Sequence, residues 1–170
     1  QLHFPAFLTE RVKLAAIETS PAYSMQFLKN PSEKLQLLAV SKSWYSIRYI
    51  ENPNEKVQLA SVNANPESIE FIENPTEKVQ QRAVLRDPNV IQSIKNPTDE
   101  VQNSAVAHNG HLIRYIKNPT DVAKMIAVKQ NGHAIRHIPD ASEELQMIAV
   151  EQNPYAIEHI PNANDEIQLA

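Results

Sequence analysis

The pair Asn-Pro stands at Asn30-Pro31, Asn52-Pro53, Asn74-Pro75, Asn96-Pro97 and Asn118-Pro119, a spacing of 22 residues held without a slip. Where the pair decays the phase persists, in Pro139-Asp140-Ala141-Ser142 and Pro161-Asn162-Ala163-Asn164. A fixed period of this length marks a solenoid, whose units cannot bury their apolar faces alone and must stack. The chain of 170 residues therefore reads as one elongated array over 1–170. Its units start near 9, 31, 53, 75, 97, 119, 141 and 163, about seven of them complete. It begins at Gln1 without methionine and breaks off at Ala170 inside a unit, so we expect a segment of a longer array or protein.

Each unit opens with a helix. In Pro97-Thr98-Asp99-Glu100-Val101 either Asn96 or Thr98 can cap it, and Pro97 suits a first turn in which its missing N–H has no partner to lose. The acids complement the positive helix end. Val101, Ala105 and Val106 then share a face, as do Leu35/Ala39/Val40, Val57/Ser61/Val62, Val79/Ala83/Val84, Ala123/Ala127/Val128 and Leu145/Ala149/Val150. The small residue in each set lets neighbouring helices approach closely. A breaker follows at Asn65-Pro66, Asp87-Pro88, Asn109-Gly110, Asn131-Gly132 and Asn153-Pro154, with Ser43-Trp44 the outlier. Glycine there suits a left-handed helix stop and proline the first turn of a new helix.

A short α or 3-10 segment comes next, anchored by Ile47/Ile50, Ile69/Ile72, Ile91/Ile94, Ile113/Ile116, Ile135/Ile138 and Ile157/Ile160. It is too short to persist alone, so stacking must hold it. Upstream, Val12, Ala16, Ile17, Met25 and Leu28 form a first unit with one extra residue near Ser20-Pro21. The expected fold is all-α, a right-handed α-solenoid of two-helix 22-residue repeats, each a long helix plus a short one.

This pattern resembles the leucine-rich variant repeats, in which a longer helix alternates with a short 3-10 helix around a Val-x-x-x-Ala-Val and Asn-Pro frame. It is more closely similar to an uncharacterised family of short helical repeats in bacteriophage, bacterial and giant-virus proteins. Asn118-Pro-Thr-Asp and Ala127-Val-Lys-Gln-Asn-Gly-His-Ala-Ile135 carry that likeness, which covers residues 9 to 170. The resemblance implies an architecture and a scaffold role, with no activity attached. Gln102 stands where leucine-rich variant repeats commonly carry arginine, a departure that speaks against polyanion binding.

Glutamine recurs at Gln36, Gln58, Gln80, Gln102, Gln146 and Gln168, with Lys13 and Lys124 substituting. The row can bond neighbouring loop backbones or serve as a ligand ladder; the first role is the expected one. Histidines crowd the second half at His108, His111, His133, His137 and His159. His133 and His137 have a spacing that can hold zinc. Equivalent positions hold Tyr45, Tyr155, Tyr49 and Tyr115, however, so an aromatic surface contact is the simpler reading.

Three columns on the short helices vary most. The first runs Tyr45, Glu67, Asn89, His111, His133, Tyr155; the second Arg48, Glu70, Gln92, Arg114, Arg136, Glu158; the third Tyr49, Phe71, Ser93, Tyr115, His137, His159. A constant frame displaying a variable aromatic and charged face is how repeat proteins present binding surfaces. The expected contact residues are Tyr45, Arg48, Tyr49, His111, Arg114, Tyr115, His133, Arg136 and Tyr155.

No reaction chemistry is legible. Paired acids such as Asp99-Glu100 read as helix-start electrostatics, and two glycines in the whole chain leave little room for a phosphate-cradling loop or a nucleophile elbow. Zero cysteines remove thiolate chemistry and suit a cytoplasmic setting. No apolar run is long enough for a membrane span. A net charge of −4 argues against a general polyanion binder. The expected function is a non-enzymatic scaffold that binds another protein, with no cofactor or metal and no membrane. The alternatives are an RNA reader using one or two side chains per repeat, a structural spacer, or an inhibitor.

Overall fold

A computed structural model describes residues 9–161 and 163–169; residues 1–8, Asn162 and Ala170 lie outside the described residues. All regular structure among the described residues is helical. From Glu33 onward a new element begins every 11 residues, a ten-residue α-helix and a six-residue 3-10 helix in alternation up to the last, shorter α-helix. The chain divides into two compact units between Ala83 and Val84.

The first unit holds α1 (Glu10–Thr19), α2 (Pro21–Phe27), α3 (Glu33–Lys42), η1 (Trp44–Tyr49), α4 (Glu55–Ala64) and η2 (Pro66–Phe71), and ends within α5 (Glu77–Arg86). Long helix packs on long helix, α1 on α3 and α3 on α4, while η1 packs on η2. The extra residue near Ser20 accompanies a change of helix type: α2 is a seven-residue α-helix where later repeats have a 3-10 helix.

The second unit holds η3 (Pro88–Ser93), α6 (Asp99–His108), η4 (Gly110–Tyr115), α7 (Asp121–Gln130), η5 (Gly132–His137), α8 (Glu143–Gln152), η6 (Pro154–His159) and α9 (Asp165–Leu169). Its short helices pack in succession, η3 on η4, η4 on η5 and η5 on η6, and α7 packs on both α6 and α8. Each unit is an all-α solenoid stack.

The apolar frame is buried as its spacing requires. Every long-helix set from Leu35/Ala39/Val40 to Leu145/Ala149/Val150 is buried, Val57, Val62, Val79, Val84, Val101 and Val106 with no exposed surface at all. The isoleucines of the short helices are buried too, with Ile157 only half-buried. Each such side chain contributes about 1.5–3 kcal/mol. The residue before the first isoleucine adds a buried position that the periodicity did not mark: Ser46, Ser68, Val90, Leu112, Ala134 and Ala156. Where it is serine it meets the long helix by hydrogen bond, Ser46 Oγ donating to the Ala39 carbonyl at 3.2 Å and Ser61 Oγ lying 3.0 Å from Ser68 Oγ. Val12, expected in the core, is 45 % exposed on α1. No described long helix precedes α1 to cover that side.

Two local expectations need correction. Where Asn-Pro precedes them, the long helices begin two residues after proline, with Ser32, Asn54, Thr98 and Thr120 at the N-cap position, while α8 begins four residues after Pro139 with Ser142 there; the side chains of Asn54, Thr120 and Ser142 accept from the helix backbone. Pro97 and its counterparts thus precede the helix instead of entering its first turn. Asn30 and Asn52, just before proline, adopt left-handed backbone with φ of 47° and 49°, which asparagine tolerates better than most residues.

Nor do the glycines serve a left-handed stop. Neither has positive φ, and the capping Asn109 and Asn131 are extended. Space decides instead, because a Cβ at Gly110 would stand 2.3 Å from the Ala127 carbonyl oxygen, and one at Gly132 2.4 Å from that of Ala149. Each glycine N–H also donates to a glutamine of the next repeat, Gly110 to Gln130 Oε1 at 2.7 Å and Gly132 to Gln152 Oε1 at 2.5 Å. Pro66, Pro88 and Pro154 open their 3-10 helices without such a donor, as expected for proline in a first turn.

Candidate functional site

The glutamine row is structural. Gln58 donates from Nε2 to the Pro53 carbonyl at 2.8 Å and accepts at Oε1 from the Thr76 N–H at 3.4 Å. Gln102 does the same with Pro97 at 3.1 Å and Thr120 at 3.0 Å. One amide thereby ties its own loop to the loop of the next repeat, satisfying backbone groups that buried turns would leave unpaired. Gln36, Gln80, Gln146 and Gln168 make the first of these bonds, to Pro31, Pro75, Ala141 and Ala163. Lys124 instead pairs with Asp121 at 2.8 Å.

The helix-start acids are also engaged. Glu33 accepts from Lys56 at 2.6 Å and from Asn54 at 2.7 Å, and Glu55 accepts from Thr76 at 2.9 Å and Lys78 at 3.4 Å. These bonds, that from Lys56 first for Glu33 and that from Thr76 first for Glu55, hold both carboxyls below the usual glutamate value. Asparagine and aspartate at the breakers cap the 3-10 helices: Asn65, Asp87, Asn109, Asn131 and Asn153 each accept from the N–H two residues on.

What the frame leaves free is the outer side of the short helices. The second column, Arg48, Glu70, Gln92, Arg114, Arg136 and Glu158, is exposed at every position. The third is half-buried at all positions except the exposed Tyr115, so most of its rings lie against neighbours. The first column is mixed, Tyr45, His111 and His133 half-buried and Tyr155 70 % exposed.

In the first unit these positions build an aromatic platform. Trp44 stacks on Phe71 with centroids 6.3 Å apart, and Tyr45 meets Phe71 edge-on at 5.3 Å and Tyr49 at 6.1 Å. The Arg48 guanidinium lies 5.4 Å from the Phe71 centroid and 5.7 Å from that of Tyr45, and donates to Tyr45 Oη at 2.7 Å. Tyr45, Arg48 and Tyr49 are thus brought together. Trp44 and Phe71 were not among the expected contacts. The signal for Trp44 was its place as the one aromatic residue in a series of prolines and glycines.

The second unit carries imidazole and guanidinium instead. His111 meets His137 edge-on at 6.0 Å, and His133 meets His159 at 5.3 Å. Arg114 covers its neighbour Tyr115 at 4.5 Å and donates to its hydroxyl at 2.6 Å; Arg136 Nε donates to His137 Nε2 at 3.1 Å. The Asn131 amide settles the state of His111. Its Oδ1 accepts from the His133 N–H, so its Nδ2 is the group facing His111 Nε2 at 3.0 Å, and that nitrogen must accept. Burial first, then Arg136, Arg114 and His133, hold His111 below the ordinary histidine value. His137 is lowered by burial, then by Arg136, His111, Arg114 and His159. His159, absent from the expected contacts, belongs to this cluster.

His133 and His137 do not face a common point: each pairs with a histidine of a different repeat. No group of three or more His, Cys, Asp or Glu among the described residues stands close enough to hold a metal ion. No helix among them is long and apolar enough to cross a membrane.

A family model described as a domain of unknown function, DUF4116, matches residues 125–164, a stretch that includes η5, α8 and η6. No curated protein and no solved structure matches the chain.

Proposed function

We propose that this chain is a non-enzymatic helical-repeat scaffold that binds another protein through the outer faces of its short helices. The observation that carries the reading is the division of labour within each repeat. Glutamine, asparagine and the apolar sets are engaged in holding the stack, whereas arginine, tyrosine, tryptophan and histidine gather on the outer side of the short helices. Those residue types supply most of the energy of protein interfaces. Repeats of the leucine-rich variant kind, and the phage, bacterial and giant-virus arrays that this chain resembles, fit the same scaffold role. A chain free of cysteine suits a cytoplasmic setting.

The test is site-specific photocrosslinking in cells that express the protein. A photoreactive side chain at Tyr45, Tyr115 or Tyr155 should capture a defined protein, and one at the exposed Asn63 or Leu85 of the long helices should not. Capture only from the long helices, or capture of nucleic acid from the short ones, would overturn the reading.

A further inference from the structure

Arg114 and Arg136 occupy the same exposed position of two consecutive short helices, η4 and η5, which pack on each other. Neither has a carboxylate partner: the ion pairs among the described residues are Lys56–Glu33, Lys78–Glu55 and Lys124–Asp121. Each uses one guanidinium N–H on a neighbouring ring, which leaves most of its five donors open. Around them stand the imidazoles of His111, His133, His137 and His159, so the patch holds two fixed positive charges with no compensating acid in contact. Beside Arg136 opens a hollow of about 280 Å³ lined by Ile135, Ile138, Pro139, Gln146 and His159. Cationic groups repeated on consecutive helices, beside a recess whose lining mixes isoleucine and proline with glutamine and histidine, fit a ligand that alternates negative and apolar groups.

We infer that the η4–η5 face of the second unit binds an extended acidic segment of a partner protein, with carboxylates on Arg114 and Arg136 and an apolar side chain in the adjoining hollow between η5 and η6. The inference rests on the scaffold reading above and names the chemistry of its partner. Stacked helices stand about 8–10 Å apart. A polyproline II strand rises about 3.1 Å per residue and returns to the same face every third residue, hence about 9 Å between like positions. An acid at every third residue, with proline or another apolar residue between, matches that step. Nucleic acid fits less well, because the column continues as Gln92 before the arginines and Glu158 after them. A phosphate backbone needs a longer cationic track.

The test is fluorescence anisotropy with the full chain and three labelled probes: a peptide of four Glu-Pro-Pro triplets, a peptide of the same composition with its glutamates in one block, and a single-stranded oligouridylate. The triplet peptide should bind best and weaken as salt rises. The double variant R114Q/R136Q should lose about tenfold in affinity or more, with an unchanged circular-dichroism spectrum, and K129Q, at an exposed position of the long helix α7, should bind as the parent does. Equal binding of the block peptide would overturn the spacing argument, and tighter binding of oligouridylate would replace a peptide partner with nucleic acid. No binding of either peptide, or unchanged binding by a folded double variant, would sink the inference. The photocrosslinking experiment stands apart from these results: capture of a protein at Tyr115 without peptide binding would leave the scaffold reading intact and discard only the acidic partner.

Discussion

The two units share one frame and differ in what they display. In the first, Trp44, Tyr45, Tyr49 and Phe71 pack ring on ring with Arg48 laid across them; in the second, equivalent positions hold His111, Arg114, Tyr115, His133, Arg136 and His137. Yet Ile47 and Ile113 are each 1 % exposed, and Gln58 and Gln102 make the same pair of loop bonds. Loop and helix-end backbone groups are met by the glutamines, by Asn54, Thr120 and Ser142 at the starts of long helices, and by the breaker Asn and Asp residues. The face is thereby released from structural duty, and its chemistry can change from aromatic to cationic without a change of fold.

The largest expected effect tests that equivalence. Ile47→Ala and Ile113→Ala should each cost about 3–4 kcal/mol, and hydrogen exchange should loosen first in the unit that carries the change. A cost twice as large in one unit would mean that the frames are not equivalent.

Next comes a difference confined to the second unit. Gly110→Ala and Gly132→Ala should destabilise by about 2–3 kcal/mol, because the added methyl meets a backbone oxygen that cannot step aside. Urea denaturation measures it. Tolerance of alanine would show that the repeats there can slide apart by more than the frame implies.

The glutamine row should come third and be shared again. Gln58→Leu and Gln102→Leu each strip two loop groups of a partner, at about 1–2 kcal/mol. Matching losses in urea would confirm that one amide ladder serves both units; a loss in one alone would break the comparison.

The smallest effect is a matter of pH. His111 and His137 titrate below the ordinary 6.5 in the folded chain. Between 6.5 and their folded values the unfolded chain therefore binds more protons, so stability rises with pH through that window and falls on acidification. Glu33 and Glu55 behave otherwise: their carboxyls lie below the ordinary 4.5, so what they contribute is lost only as pH falls under that value. Exchange protection followed from pH 7.5 to 5 should decline around η4 and η5 and hold around α3 and α4. Parallel decline in both would assign the effect to something other than these histidines.

Much of the array was legible in the residues. The 22-residue spacing of Asn-Pro announced the stack, the Val-x-x-x-Ala-Val set announced its core, and the recurrent glutamine announced a loop tie. The reason is that stacking imposes the same demand at every turn, so chance cannot produce the pattern five times. Helix starts stayed open by two residues, between Asn96 and Thr98 as the cap, because a proline just before a cap and a proline in the first turn look alike in a chain. Glycine at the breaker misled for a similar reason. Its usual meaning is a left-handed backbone, and only the position of the Ala127 and Ala149 carbonyls on the following helices reveals that the constraint is room for a side chain.

By itself, then, the sequence determined the period, the helical class, the main buried sets and the exposed column from Arg48 to Glu158, all of which follow from local spacing. Tertiary structure decided which outward residues meet. Trp44 reaches Phe71 across a repeat, His111 meets His137 and Asn131, and Arg114 and Arg136 stand without a carboxylate, because each short helix lies beside the one 22 residues away as well as beside the long helices that flank it in the chain. Contacts between side chains of successive repeats depend on rotamer and packing distance, quantities that a linear spacing does not contain.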